Sequence, residues 1–148
     1  MFVGVVNAKP GSILFHLSNN KLIKVELMLS HIEEKNVEPF TSQFKEYLAG
    51  NRRKFDLEYN LKVSKFAHRV LSITKKIPYG KTMTYGQIAK ILGKPGAARA
   101  VGQALKINPI PVVIPCHRVI SKKGFGGFNA GIDWKSFLYN LECSSNGE

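Results

Sequence analysis

A cysteine and a histidine stand side by side in the stretch PCHR at residues 115–118. Cysteine acts as a nucleophile through its thiolate, which nearby cationic groups favour and apolar burial disfavours. His117 and Arg118 follow Cys116 directly and are the first candidates for such groups. Free cysteine is often buried only for packing, however, and neighbours in an extended strand point to opposite faces. Only a turn at this point of the chain would let His117 assist Cys116.

The segment that leads to Cys116 carries prolines at positions 109, 111 and 115. Each proline lacks a backbone donor and restricts the residue before it, so a helix cannot continue past Asn108. We expect the chain to run extended over residues 112–114 and to deliver Cys116 at the end of that run.

Two short helices precede this segment. Thr84 and Gln87 fit a capping box at the start of the first helix, which ends at Gly93, and the second runs from Ala97 to about Lys106. Two helices joined by a glycine-containing turn are typical of a helix-turn-helix. The second helix is rich in alanine and glycine, so its backbone could lie close to a nucleic-acid groove while reading few base edges.

Basic charge is concentrated in the same half of the chain. The 148 residues carry a net charge of +12; residues 61–148 hold fourteen basic and three acidic side chains (14 − 3 = +11), and residues 1–60 hold eight and seven (8 − 7 = +1). No acidic residue lies between Glu58 and Asp133. Once folded, this segment must present a positive surface, and a positive surface attracts polyanions through counterion release. This favours nucleic acid over an anionic membrane, for which the sequence offers no long basic amphipathic helix.

The N-terminal third contains three short runs with the residue alternation of β-strands: residues 2–6, 13–17 and 22–27. Together they are typical of a small antiparallel meander. A helix from Phe40 to Ala49 follows and is ended by Gly50, and Ser64 can cap the next helix. The sequence therefore predicts an α+β protein with a strand-rich domain (1–55), a linker (56–63) and a mainly helical domain (64–148).

The composition argues against a membrane-spanning protein and against a disulfide-rich one. No apolar run approaches the roughly 20 residues that span a bilayer. Cys116 and Cys143 are the only cysteines, so a disulfide framework is not expected. We expect an intracellular, cytoplasmic protein.

Several motifs together resemble the O6-alkylguanine-DNA alkyltransferases. They are Tyr85, AARAVG at 97–102, NPIP at 108–111, PCHRV at 115–119, GGFNAG at 126–131, Lys135 and Glu142. The resemblance is close over residues 64–142, whereas residues 1–55 are similar only in kind, as a small ribonuclease-H-like domain. It implies direct DNA repair without a cofactor, in which an alkyl group moves from O6 of guanine in duplex DNA to Cys116, irreversibly and once per molecule.

The resemblance also implies how DNA is bound. The helix-turn-helix would enter the minor groove and flip the damaged nucleotide out of the stack. Arg99 would fill the gap in the stack, and Tyr85 would help to rotate the phosphate of the flipped nucleotide. The other residues of this predicted DNA-binding surface are Thr84, Gly86, Ala97, Ala98, Gly102 and Lys106.

The chemical roles follow from the same resemblance. His117 would act as a base on Cys116 through a water molecule, held by the carboxylate of Glu142. Tyr85 would donate its hydroxyl to the departing purine, and Asn108 would be the hinge between the helix-turn-helix and the active-site segment. The predicted alkylguanine pocket consists of Pro111 (the wall against the alkyl group), Val119, Phe128, Asn129 and Lys135.

Two positions depart from the family pattern. Phe128 stands where many members have tyrosine, and loss of that hydroxyl would slow transfer or change the preference for bulky adducts. Some relatives hold zinc in the N-terminal part, but residues 1–115 here contain no cysteine. The three histidines in that range do not form a structural site alone, so we expect no metal.

Three other interpretations stay open at this point. A related lesion-binding protein without transfer activity would share the fold, although Cys116 argues against it. A Cys-His hydrolase would need an oxyanion hole and would not explain the basic half. A non-enzymatic DNA binder would leave PCHRV without a purpose. We expect a monomer that binds double-stranded DNA bearing O6-alkylguanine, with no membrane and no obligatory protein partner.

Overall fold

A three-stranded antiparallel sheet forms the start of the chain in the computed structural model, which describes residues 2–122 and 132–146. Its strands follow the order β1 (Phe2–Asn7), β2 (Ser12–Ser18) and β3 (Lys21–Leu27). Alternate side chains of β2 (Ile13, Phe15 and Leu17) are buried, as a period of two requires for a sheet with one core face. The predicted meander is confirmed.

The first helix covers the buried face of this sheet. Helix α1 (Phe40–Leu48) packs its Phe44 ring on that of Phe15, with 5.0 Å between the centroids. Gly4 pairs with Phe15 across the sheet, and a Cβ at Gly4 would lie 2.1 Å from that ring, so only glycine fits there. The helix ends before Gly50, whose φ of 79° suits glycine, as predicted.

The chain between α1 and the second half runs beside β3. The amide of Leu22 donates to Glu58, and the amide of Asn60 donates to Leu22, both at 2.9 Å. The predicted linker, residues 56–63, therefore hydrogen-bonds to the sheet. A single cluster of buried apolar side chains extends from Phe15 and Phe44 to Val101 and Leu138.

The second half is mainly helical. Its elements in chain order are α2 (Lys65–Lys75), β4 (Met83–Thr84), α3 (Tyr85–Ile91), α4 (Ala98–Lys106), a 3₁₀ turn at Cys116–Arg118, β5 (Val119–Ile120) and α5 (Ile132–Asn146). The Ser64 hydroxyl caps α2, and Thr84 and Gln87 form the complete capping box of α3. Both caps were predicted, because their signals lie within four residues of each other.

The expected extended run over residues 112–114 is wrong. The chain instead makes a tight turn, in which the amide of Ile114 donates to the carbonyl of Ile110 at 3.0 Å and Val112 has a φ of 76°. The Asn108 side chain closes this turn, since its Nδ2 donates to Ile114 and its Oδ1 accepts from the amide of Ile110. These bonds offset a backbone strain of about 1–3 kcal/mol at a β-branched residue.

Within residues 2–122 and 132–146, no helix combines the length and the apolar character that crossing a bilayer demands. The same described residues contain no group of three or more His, Cys, Asp or Glu side chains arranged to hold a metal ion.

Candidate active site

Cys116, His117 and Arg118 occupy consecutive positions of the 3₁₀ turn. The amide of Cys116 donates to Ile114 at 2.8 Å, and that of Arg118 donates to Pro115 at 2.9 Å. All three side chains are buried, and His117 is fully enclosed. The chain thus has the turn that the cooperation of Cys116 and His117 requires.

Helix α5 brings Glu142 to this turn. Its Oε2 lies 2.6 Å from Nε2 of His117, and Arg118 donates to both carboxylate oxygens, from Nε to Oε1 at 2.8 Å and from Nη2 to Oε2 at 3.0 Å. The hydroxyl of Tyr47 also donates to Oε2 at 2.5 Å, and the amide of Gly80 donates to Oε1 at 3.2 Å. The buried carboxylate therefore accepts five hydrogen bonds, as an ionised group in a low dielectric requires.

The charges of this cluster determine which nitrogen of His117 carries its hydrogen. Burial acts to raise the pKa of Glu142, but hydrogen bonds from His117 and Arg118 and the charge of Arg118 outweigh it and lower that pKa far below its usual range. Burial also lowers the pKa of His117, against the attraction of Glu142, so the ring is neutral at pH 7. A carboxylate can only accept, so Nε2 carries the hydrogen and Nδ1 carries the lone pair.

Nδ1 of His117 is buried and has no hydrogen-bond partner among the described residues. A buried nitrogen with a lone pair is normally satisfied by a protein group or water, so this atom stands out as a functional candidate. It is the atom that a general base in this turn would use.

The Cys116 thiol is protonated in the resting protein. Burial raises its pKa to about 11, although a hydrogen bond from Asn108 and the charge of Lys135 act in the opposite direction. A thiol of this kind reacts only when its proton is removed as the bond forms. Cys143, by contrast, is exposed.

The residues predicted for the alkylguanine pocket do not all line one cavity. Lys135 is fully buried, and its Nζ donates to the carbonyl of Val119 at 2.7 Å; burial lowers its pKa to about 8. Pro111 and Asn108 line a cavity of about 470 Å³ that reaches Cys116 and is bounded on its other side by β3. The predicted residues Phe128 and Asn129 lie outside the described residues.

The predicted DNA-binding residues lie on α3 and α4 or at their N-caps, Thr84 and Ala97. Arg99 and Lys106 are exposed, whereas the remaining ones are half-buried: Thr84, Tyr85, Gly86, Ala97, Ala98 and Gly102. A Cβ at Gly102 would lie 3.8 Å from the Tyr85 ring, so the two helices meet at these residues. Strand β4 pairs in parallel with β5, with Thr84 opposite Ile120, which ties the start of α3 to the segment after Cys116.

Sequence reasoning missed two members of the Glu142 cluster. Arg118 was considered only as a nearby cation, whereas its guanidinium clamps both carboxylate oxygens. Tyr47 carried no signal except its place on the buried face of a predicted helix.

Comparisons with known proteins point to one family. The family model described as "6-O-methylguanine DNA methyltransferase, DNA binding domain" matches residues 65–144. A methylated-DNA–protein-cysteine methyltransferase of Methanosarcina acetivorans is 42% identical over 123 residues, which cover 82% of this chain and 79% of that one. The chain belongs to this family. The resemblance inferred from the motifs is confirmed.

Further family members extend the likeness to the whole fold. The crystal structure of the Mycobacterium tuberculosis O6-methylguanine methyltransferase matches with a TM-score of 0.86 at 34% identity, over 97% of this chain and 93% of that one. The structure of the M. tuberculosis protein OGT in complex with DNA gives a TM-score of 0.87 at 33% identity and the same coverage. A relative from Mycolicibacterium paratuberculosis is 50% identical, but the alignment spans only 59% of its length and 65% of this chain.

Proposed function

We propose that this chain repairs DNA by transferring an alkyl group from O6 of guanine to Sγ of Cys116. The observation that carries the proposal is the buried thiol on the same turn as His117, whose Nε2 is bound to Glu142 and whose Nδ1 is left as a base. A buried thiol with a pKa of about 11 needs such a base before it can attack carbon. Family membership, and a relative whose structure contains DNA, support a DNA substrate.

The reaction is one displacement at carbon. The thiol proton passes to Nδ1 of His117 through a water molecule, the S–C bond forms, and the bond from carbon to O6 of guanine breaks. The electron pair of that bond stays on the purine anion, which is stabilised by a hydrogen bond from the hydroxyl of Tyr85 and takes its proton from water. The imidazolium returns its proton to water, so the protons balance. The imidazolium that forms is stabilised by the Glu142 carboxylate at 2.6 Å. The product is a thioether, which is stable in water, so each molecule acts once.

DNA binding in this proposal uses α3 and α4 as a helix-turn-helix in the minor groove. The small residues Ala97, Ala98 and Gly102 allow close approach, and Arg99 replaces the flipped nucleotide in the stack. The exposure of Arg99 and Lys106, in a segment without acidic residues, supports this orientation. The β4–β5 pairing couples that surface to the Cys116 turn, with Asn108 as the hinge on the other side.

The pocket for the alkylated base is proposed to adjoin Cys116. Pro111 lines the cavity beside the thiol, and Lys135 holds the carbonyl of Val119 in a fixed position. The ribonuclease-H-like character of residues 1–55, the domain boundaries at 55 and 64, and the roles of Phe128 and Asn129 stay predictions. The protein is proposed to act as a monomer on duplex DNA, without a metal or cofactor.

The decisive experiment is the intact mass of the protein after incubation with a duplex that contains a single O6-methylguanine. Wild type is expected to gain one methylene, saturating at one per molecule, and Cys116→Ser is expected to gain none. A duplex with unmodified guanine is the control and should leave both masses unchanged. Tight binding to the lesion without any gain in mass would show a lesion-binding protein instead, and would make Phe128 the first residue to restore to tyrosine.

A further inference from the structure

A tyrosine from the strand-rich half of the chain reaches the catalytic pair of the other half. Tyr47 lies on α1 and is 1% exposed. Its hydroxyl donates to Oε2 of Glu142 at 2.5 Å and lies 3.4 Å from Nε2 of His117. These partners are 95 and 70 residues away in sequence. None of the roles assigned above uses this side chain.

The ring of Tyr47 packs against two other aromatic rings. It packs on Phe55 with 5.3 Å between ring centroids, and it meets Tyr79 edge-on at 6.2 Å. Burial raises the pKa of Tyr47 well above its ordinary value, and the neighbouring Glu142 charge raises it further. The hydroxyl therefore keeps its proton and serves as a permanent donor to the carboxylate.

The three polar atoms form a closed triangle. Nε2 of His117 and Oε2 of Glu142 are 2.6 Å apart, and the Tyr47 oxygen contacts both. The hydroxyl thus occupies the position from which water would otherwise compete for Oε2, and it limits how far the imidazole can tilt away from the carboxylate. Second partners of this kind orient a catalytic histidine without touching the substrate.

We infer that Tyr47 is a positioning residue for alkyl transfer, whose hydroxyl holds Glu142 against His117 and so keeps Nδ1 aimed and unprotonated as the base for Cys116. This inference rests on the function proposed above. It assigns the N-terminal half a part in the chemistry, because the hydroxyl that contacts both Glu142 and His117 comes from α1.

Charge balance around His117 makes the inference testable. The groups that face the ring are Glu142 and Lys135 from α5, Arg118 from its own turn, Tyr47 from α1, and the neighbouring Cys116. Loss of the Tyr47 donor leaves the Glu142 charge less compensated. That charge then attracts a proton to His117 more strongly, so His117 becomes protonated at a higher pH and is less available as a base.

The test variant is Tyr47→Phe, which keeps the ring and removes the hydroxyl. Single-turnover transfer from an O6-methylguanine duplex is followed in time, so the end-point measures the folded active fraction and the rate constant is independent of it. The rate constant at pH 7 is expected to fall about tenfold, as for loss of one hydrogen bond to a charged group. The acid limb of its pH profile should move to higher pH, and the Kd for the lesion duplex should not change.

The matched control is Tyr79→Phe. Its hydroxyl is buried in the same cluster but has no hydrogen-bond partner among the described residues. Its rate constant and pH profile should equal those of wild type. Long-range ¹H–¹⁵N NMR of the free protein should show a raised His117 pKa in Tyr47→Phe and not in Tyr79→Phe.

The outcomes are separable. Absence of transfer by wild type would refute the proposed function itself. Transfer by wild type with an unchanged rate and His117 titration in Tyr47→Phe would overturn the inference, as would equal slowing in both variants, which indicates packing alone. If Tyr47→Phe does not fold, 3-fluorotyrosine placed at position 47 keeps the hydroxyl as a stronger donor. The His117 pKa should then fall, and a rise or no change would count against the inference.

Discussion

Replacing Glu142 by glutamine would remove one negative charge from a buried cluster while hardly changing its shape. The carboxylate accepts five hydrogen bonds, three of them on Oε2 and two on Oε1. A glutamine side chain has one oxygen, so at best it keeps the three on one side. Its NH₂ group then faces the Nε of Arg118 and the amide of Gly80, which are both donors.

The loss of stability depends on the positive charge of Arg118, which stays buried after the substitution. Arg118 is 7% exposed, and its guanidinium would lose its only described carboxylate partner, keeping the carbonyl of Ile77 at 2.7 Å. Removing one partner of a buried ion pair costs about 3–5 kcal/mol, because the other charge stays uncompensated. We therefore expect Glu142→Gln to lower the free energy of unfolding at pH 7 by about 3–5 kcal/mol.

The chain contains a matched control at the surface. Glu46 accepts from Nε of Arg52 at 2.8 Å, the same distance as between Oε1 of Glu142 and Nε of Arg118. The Arg52 and Glu46 side chains are 27% and 48% exposed, so water and salt screen this pair. Glu46→Gln should therefore cost about 0–1 kcal/mol.

Urea unfolding of the two variants and wild type measures this difference. Trp134 is the only tryptophan, is fully buried and donates from Nε1 to the carbonyl of Met28 at 2.9 Å, so its fluorescence reports separation of α5 from the N-terminal half. Burial predicts that Glu142→Gln loses far more unfolding free energy than Glu46→Gln. Losses that agree within about 1 kcal/mol would refute this argument.

Three further predictions concern pH, thiol reactivity and a helix cap. The pKa of Glu142 is lower in the folded than in the unfolded state, so the stability that its ionised form contributes is complete above about pH 5 and is lost as the pH falls. The urea midpoint should therefore drop more steeply on acidification in wild type than in Glu142→Gln. Parallel slopes for the two proteins would contradict this. At a pH below the ordinary thiol pKa of about 8.5, iodoacetamide should label exposed Cys143 well before Cys116, whose pKa is about 11. Peptide mass mapping would measure the two rates, and equal rates would exclude a protonated resting thiol. Thr84→Ala should lower the unfolding free energy by about 1 kcal/mol through loss of the α3 cap, and a change below about 0.3 kcal/mol in urea would mean that packing alone holds the helix start.

Local signals made much of the fold predictable. The alternation of β2, the Ser64 cap and the capping box at Thr84 and Gln87 each depend on residues within a few positions of one another. Their free energies are determined by backbone geometry and neighbouring side chains, which the sequence shows directly. The same holds for the end of α1 at Gly50, where the left-handed conformation suits glycine.

The turn before Cys116 shows where such reasoning stops. Prolines at 109 and 111 exclude a helix, but they are compatible with either an extended run or a turn. The choice is made by the Asn108 side chain, which bonds to Ile110 and Ile114 and so offsets the strained φ of Val112. Neither the periodicity of apolar residues nor the composition of a segment shows that a side chain will bond to its own backbone.

The sequence by itself determined the family and the placement of Cys116 beside His117, because these depend on residue types in a fixed order along residues 64–142. Only the tertiary structure decided which groups surround Glu142 and how Tyr47 takes part. Those contacts join residues up to 95 positions apart. Burial then determines their charge states, since a low-dielectric surrounding strengthens each electrostatic interaction and makes every unpaired polar atom costly.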